Sequence, residues 1–251
     1  MQDHQIHVRN VAMWVLAMVL GPLGVTLSAR AGFGLPMAEA PAYIIYLKAS
    51  LTAGKFTFGL AGFIVRAAVL ILLLILIRKF KPKYLLPLGT AAMYAVILDG
   101  WRNVVGDTVY DKTGMRILAC AAGIILTSIA AACFLRTDLP QEVREAFVKE
   151  YSDEKGKKMM KVRWIYDLVA LAAAVLLSLI LLRKFETEAV GAGTLVSAAL
   201  NIPLTAVTGR LIDGLWKDRE NVATPQKELE ELRRKEEDEK KKSAEEDEII
   251  P

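Results

Sequence analysis

Two cysteines and two histidines in 251 residues leave little material for a metal centre. Cys120 and Cys133 stand 13 positions apart in one apolar stretch. On a helix rising about 1.5 Å per residue that is roughly 20 Å, beyond the reach of a disulfide. Nor do they form a metal pair, and they read as small packing residues. His4 and His7 sit in the polar N-terminus and read as solvated side chains rather than ligands. No cofactor is expected. An HExxH pair, a phosphate-cradling glycine loop and a Ser/His/Asp arrangement are all missing. The first apolar stretch lacks the small-residue cleavage site of a secretory signal and is long enough to remain as an anchor. Aromatics make up only 8% of the chain, and no basic stripe carries them interleaved, so the net charge of +4 does not point to nucleic acid.

Apolar residues, by contrast, are abundant: 54% of the chain, beside 24% that is charged. Both fractions are compatible only if the charge is segregated. Residues 217–251 hold 9 Lys/Arg and 13 Asp/Glu, so the chain before them carries a net charge of +8 and is more apolar than the average suggests. That tail has almost no apolar positions and reads as a charged cytoplasmic segment, helical or disordered. Residues 1–216 read as a membrane domain.

The membrane domain repeats itself. LILLLILIRKF (70–80) returns as LLSLILLRKF (176–185), with the Arg-Lys-Phe endings 105 positions apart. LPMAEAPAYI (35–44) and LPQEVREAFV (139–148) are 104 apart, as are Gly89-Thr90 and Gly193-Thr194. Three matches in order at nearly one offset indicate an internal duplication, repeat one covering about 9–105 and repeat two about 113–213. Asp99-Gly100-Trp101 and Asp213-Gly214-Leu215-Trp216 lie 114 apart and match less well.

Six stretches approach the ~20 helical residues needed to cross a hydrocarbon core: 10–30, 57–77, 84–105, 116–135, 164–183 and 188–210. The third is interrupted by Asp99, and the sixth contains Pro203. The connection 78–83 has four basic residues in six, and 136–163 has eight: Arg136, Arg144, Lys149, Lys155, Lys157, Lys158, Lys161 and Arg163. With six crossings both face the cytoplasm, together with both termini. Each repeat then contains three crossings and the two copies are oppositely oriented, an arrangement common in secondary transporters. The expected fold is all-α and polytopic: six transmembrane helices in two inverted three-helix repeats.

Between the first two crossings of each repeat lies the Leu-Pro segment. PMAEAPAYIIYLKASL (36–51) is too short and too charged to cross and reads as an interfacial or re-entrant helix, with Pro36, Glu39 and Pro41 at its start. In the second copy Leu139, Val143, Phe147 and Tyr151 recur every fourth residue among charges, an interfacial pattern. Both are expected as short helices along the membrane surface.

An ionisable residue within a membrane segment is costly and marks a candidate site. Arg66 lies mid-span, Asp99 late in the third span and Asp167 near the start of the fifth. Arg66 and Asp167 are a conceivable pair. Arg66 could instead hold an anionic solute, or serve structure alone, and Asp167 could reach headgroup water. Thr90, Gly193 and Thr194 open the last helix of each repeat, where small residues permit close helix approach and exposed amides attract anions. DGWRNVVGDTVYD (99–111) is distantly similar to the Asp-rich metal motif of CDP-alcohol phosphotransferases, but lacks the preceding Asp and the Ala-Arg after the first Asp-Gly. It also falls on the extracytoplasmic side, so catalysis is not expected.

GVTLSARAGFGLPMAEAPAYI (24–44), GKFTFG (54–59), LPQEVREAFVKEY (139–151), KVRWIYDLVALAAAVLLSLILL (161–182) and VGAGTLVSAAL (190–200) resemble YczE/YyaS/YitT-type bacterial membrane proteins over about 10–212. Gly34–Pro41 departs from that family's small polar run. The resemblance implies a bacterial inner-membrane protein for which transport is supposed. The expectation is a small-solute transporter, acting as a homo-oligomer if six helices enclose too little volume. Its rival is a non-transporting scaffold that engages a cytoplasmic partner through 136–163 and 217–251.

Overall fold

Twenty helical residues rise about 30 Å, the thickness of a hydrocarbon core. The computed structural model describes residues 2–52, 54–78, 82–106 and 108–215. The charged tail 217–251, Asp107 and Lys79–Lys81 of the first basic connection lie outside the described residues, as do the side chains of His4 and His7. Five helices among the described residues are long and apolar enough to cross a membrane. These are α1 (Gln2–Ala31, apolar from Val8), α3 (Phe58–Ile77), α5 (Thr113–Phe134), α7 (Met159–Leu177, continued by a π turn over Ser178–Leu182) and α8 (Ala192–Leu215). Helix α4 (Leu86–Val105) is equally long, at 20 residues. Asp99, Arg102 and Asn103 near its end lower its apolarity, so it falls outside that set. Two 13-residue helices, α2 (Ala40–Thr52) and α6 (Val143–Lys155), complete the described elements with a 3-10 turn at Pro82–Leu85.

The order long, short, long, long therefore occurs twice, as α1–α4 and α5–α8. The backbone carries the same echo. Arg78 and Arg183, 105 positions apart, are the two non-glycine residues in left-handed conformation among the described residues, at φ 56° and 54°. Each ends the helical run that begins its Leu/Ile-rich phrase, Arg78 bonding back to the Leu74 carbonyl.

Helices α1 and α5 pack antiparallel along their length. Asn10 Nδ2 donates to Asp138 Oδ2 at 2.8 Å at one end, and Arg116 Nε donates to the Ala31 carbonyl at 2.7 Å at the other. Midway, Gly24 faces Thr127 and Gly123 faces Ser28. A methyl group on Gly24 would sit 2.9 Å from the Gly123 carbonyl, and one on Gly123 would sit 2.8 Å from that of Gly24. Two small-residue steps thus meet reciprocally, Gly24-Ser28 against Gly123-Thr127, and the backbones touch, as in other close membrane-helix pairs.

The short helices are not surface helices at their N-terminal ends, which corrects the sequence expectation. In α2, Ala40 to Ile44 are buried and the exposed end is Leu51-Thr52. In α6, Val143, Glu145, Ala146, Phe147 and Val148 are buried, whereas Lys149, Asp153 and Lys155 are exposed. The fourfold stripe of α6 faces protein: Val143 and Phe147 pack with Leu70, Leu73, Ile77 and Ala91, and Tyr151 stacks on Phe147 at 5.9 Å. Tyr43, the repeat mate of Phe147, stands edge-on to Phe58 at 5.3 Å within the companion cluster of Val25, Leu35, Ile44, Leu98 and Ala174. Both helices begin inside the bundle and emerge from it, because their apolar faces find partners on α3, α4 and α7.

The distribution of polarity is inverted relative to a water-soluble protein. Arg66, Glu142, Glu145, Ser128, Thr194 and Asn201 are buried, while Ile71, Ile75, Leu168, Leu176, Ile180, Leu195 and Leu211 are exposed. Apolar surface on this scale is unfavourable in water and neutral in lipid. The chain is a multi-pass integral membrane protein. Residues 1–210 form one compact unit, and of the remainder, 211–251, only the last turn of α8 is described.

Candidate functional site

Pro36 and Pro140 open the two segments that lead into α2 and α6, and both segments turn into the bundle. Trp14 Nε1 and Thr90 Oγ1 donate to the Pro140 carbonyl at 2.9 and 3.0 Å, while Leu35 N donates to the Ala189 carbonyl at 3.1 Å and Gly193 N to the Phe33 carbonyl at 2.6 Å. The packing is crossed. Thr90 lies against the Leu139-Pro140 segment, and Gly193-Thr194 against the segment that leads to Leu35-Pro36. Gly34, at φ 106°, leaves no room for a side chain beside Thr194 Oγ1 and the Gly191 backbone.

Turned inward in this way, the two segments deliver Glu39 and Glu142 to one guanidinium. Arg66 is 6% exposed; its Nη2 donates to Glu39 Oε1 and its Nε to Glu142 Oε1, each at 2.6 Å. Its guanidinium lies 4.4 Å above the Tyr94 ring, and Gly62 leaves the space that its side chain occupies one turn away. Glu142 also caps α6, accepting from Arg144 N at 3.2 Å. Arg144 Nε pairs with Glu145 Oε1 at 3.2 Å. A cavity of about 50 Å³ adjoins the cluster, lined by Val25, Pro36, Tyr94, Thr127, Ala131 and Asn201 among others. That is room for a few waters or a very small solute.

Burial acts on the carboxyls in opposite balance. Glu39 is raised, because desolvation outweighs the Arg66 charge. Glu142 is lowered: burial opposes ionisation, but Arg66 and Arg144 together prevail. Glu145 is pushed up to about 7 by burial and by the Glu142 charge, against the pull of Arg144. Neighbouring carboxyls with divergent proton affinities are a recurring feature of sites that move protons.

The other sequence candidates are distributed differently. Arg66 does not pair with Asp167; its partners are Glu39 and Glu142. Asp167 is half-buried near Arg144 and Arg163, and its Oδ1 accepts no hydrogen bond among the described residues. Asp99 Oδ1 accepts from Gly59 N at 2.8 Å and, with the Thr57 hydroxyl, caps α3. An anion there satisfies free amides and the positive end of the helix dipole. Pro36 lines the cavity and Pro41 is buried in the first turn of α2. Glu142, Arg144, Glu145 and Tyr94 escaped the sequence reading. A signal existed: a glutamate follows each Leu-Pro, four residues after Leu35 and three after Leu139. Arg102 was missed too; its Nη2 donates to the Tyr46 hydroxyl at 3.0 Å and its guanidinium covers that ring.

The chain belongs to a family of unknown function, DUF6198, whose model matches residues 8–210. Those bounds run from the start of the first apolar span to the end of the compact unit. The match names this family and not the YczE/YyaS/YitT type that the residues resemble. No curated protein and no solved structure matches the chain.

Proposed function

We propose that the chain is a carrier for a small solute, not an enzyme, built from two inverted three-helix halves that move about the Arg66 cluster. The observation that carries this reading is the convergence of Glu39 and Glu142, 103 positions apart, on one buried guanidinium beside a cavity. Intramembrane ion clusters are expensive and characteristic of solute and proton pathways. Carrier sites lie where two repeats meet, on interrupted elements. The recurring helix order, the reciprocal Gly24/Gly123 contact and the crossed packing of Thr90 and Gly193 support a twofold relation between the halves. In this reading α4 crosses as the sixth span, its charge absorbed by the Asp99 cap and the Arg102–Tyr46 contact. Lys149, Lys155, Lys157, Lys158 and Lys161 then stay exposed on the cytoplasmic face of an inner membrane, with both termini on the same side.

The test is a thermal-shift screen of the full-length chain in lipid nanodiscs against amino acids, small sugars, organic anions and organic cations. A solute that raises the Tm of the wild type but not of R66M/E39Q/E142Q is expected, and names the cargo class. A solute that stabilises both proteins equally, or a panel with no stabilising member, counts against a carrier site at Arg66.

A further inference from the structure

Three carboxyls and two guanidiniums cluster beside the cavity: Glu39, Glu142, Glu145 and Arg144 line it, and Arg66 pairs with the first two from behind. Helix α7 adds Arg163 and Asp167, one charge of each sign, and Tyr166. From α4 comes Tyr94. With every carboxyl ionised the cluster carries one uncompensated negative charge. Such a charge, enclosed among helices that face lipid, is strongly unfavourable. One proton makes the cluster neutral.

The ion-pair distances place that proton on Glu145. Both Glu142 oxygens already accept, one from Arg66 Nε and the other from Arg144 N, which fixes the charge there. Glu39 is held by Arg66 at 2.6 Å, whereas buried Glu145 has the longer 3.2 Å contact with Arg144 on its own helix and feels Arg163 of α7 besides.

We infer that the coupling ion of this protein is a proton carried on Glu145, and that the closed arrangement of the bundle forms only when that proton is bound. The inference rests on the carrier reading and assigns its energy source. A proton arrives from water on one side, bonds to a Glu145 carboxyl oxygen and neutralises the cluster so that the bundle closes. When the bundle opens to the other side, water around Arg144 and Glu142 lets the proton leave. The affinity of Glu145, pushed up to about 7, places loading and release within the range of ordinary cellular pH.

The test is infrared difference spectroscopy on the full-length chain in lipid bilayers, between acid and alkaline buffer, reading the C=O stretch of a protonated carboxyl. A band that titrates near neutral pH is expected in the wild type. It should disappear in E145Q, which also removes the uncompensated charge, and persist in D99N, whose carboxyl lies outside the cluster on Gly59 N. The tryptophan fluorescence of each variant confirms folding. No neutral-range band in the wild type, or a band that survives E145Q, overturns the assignment. Thiol labelling of a cavity cysteine (V25C) is measured on the same samples. Labelling without the band refutes proton coupling and spares the carrier reading, whereas a band in an unreachable cavity refutes both.

Discussion

Replacing Arg66 with methionine retains most of the side-chain volume and removes the cation that ion-pairs with both Leu-Pro segments. Each Arg66–carboxylate contact is 2.6 Å between heavy atoms. With charge centres about 4 Å apart and an effective dielectric near 20, one such pair gains about 4 kcal/mol before desolvation is counted. Desolvation cancels much of this in the intact cluster, so its net contribution is small. The cost of R66M arises instead from leaving Glu39 and Glu142 buried and unpaired, about 3–5 kcal/mol. A carboxylate in that position escapes by protonation. The defect should therefore be largest near pH 8 and shrink as the pH falls, by up to ~1.4 kcal/mol per pH unit for each proton taken up. The triple variant R66M/E39Q/E142Q, with no orphaned charge, should recover most of the loss. Tm by intrinsic fluorescence across pH 5 to 8 in mild detergent reads all three proteins. An R66M protein as stable as the wild type at pH 8, or a defect independent of pH, would refute the reasoning.

Glu145 sets a second pH dependence. Its affinity for a proton is higher in the folded chain, at about 7, than the ordinary 4.5, so its contribution is fully present below pH 4.5 and is lost as pH rises through 7. The loss amounts to about 3 kcal/mol, and E145Q should flatten that part of the Tm profile. G123V drives a branched side chain into Ser28 and the Gly24 carbonyl, and should lower stability by about 1–3 kcal/mol or separate α1 from α5. G100A, where nothing lies within 4 Å, should be silent in the same Tm assay. D99A removes a helix cap and should cost about 1 kcal/mol, while the labelling of a cavity cysteine stays unchanged.

The recurring helix order is legible in the spacing. The offset near 104 linked Arg78 to Arg183 and Thr90 to Thr194, and these pairs share a backbone conformation or a crossed partner. Span positions were legible because apolarity over twenty residues depends on composition alone. The course of the Leu-Pro segments was not, since a 13-residue amphipathic helix presents the same stripe to a membrane surface and to a protein interior. What decided it was the apolar faces of α3, α4 and α7, far away in the sequence. The same remoteness hid the partners of Arg66: Glu39 and Glu142 stand in segments with no span signal, 27 and 76 positions away. Basic loop charge likewise did not show how it divides by residue type. Of the eight arginines and lysines in 136–163, the five lysines are exposed and the three arginines are at least partly buried.

The central claim is that the Arg66 cavity opens to water on both sides of the membrane in turn. Val25 lines that cavity and is 2% exposed. With Cys120 and Cys133 replaced by alanine, the V25C variant is exposed to a membrane-impermeant maleimide in vesicles of each orientation, with K149C as the exposed control. A carrier predicts that the V25C thiol is labelled from both sides, slower than the control and slower still at pH 5, where the protonated cluster favours the closed form. Labelling from neither side, or from one side alone, while the control reacts in its accessible orientation, would contradict it.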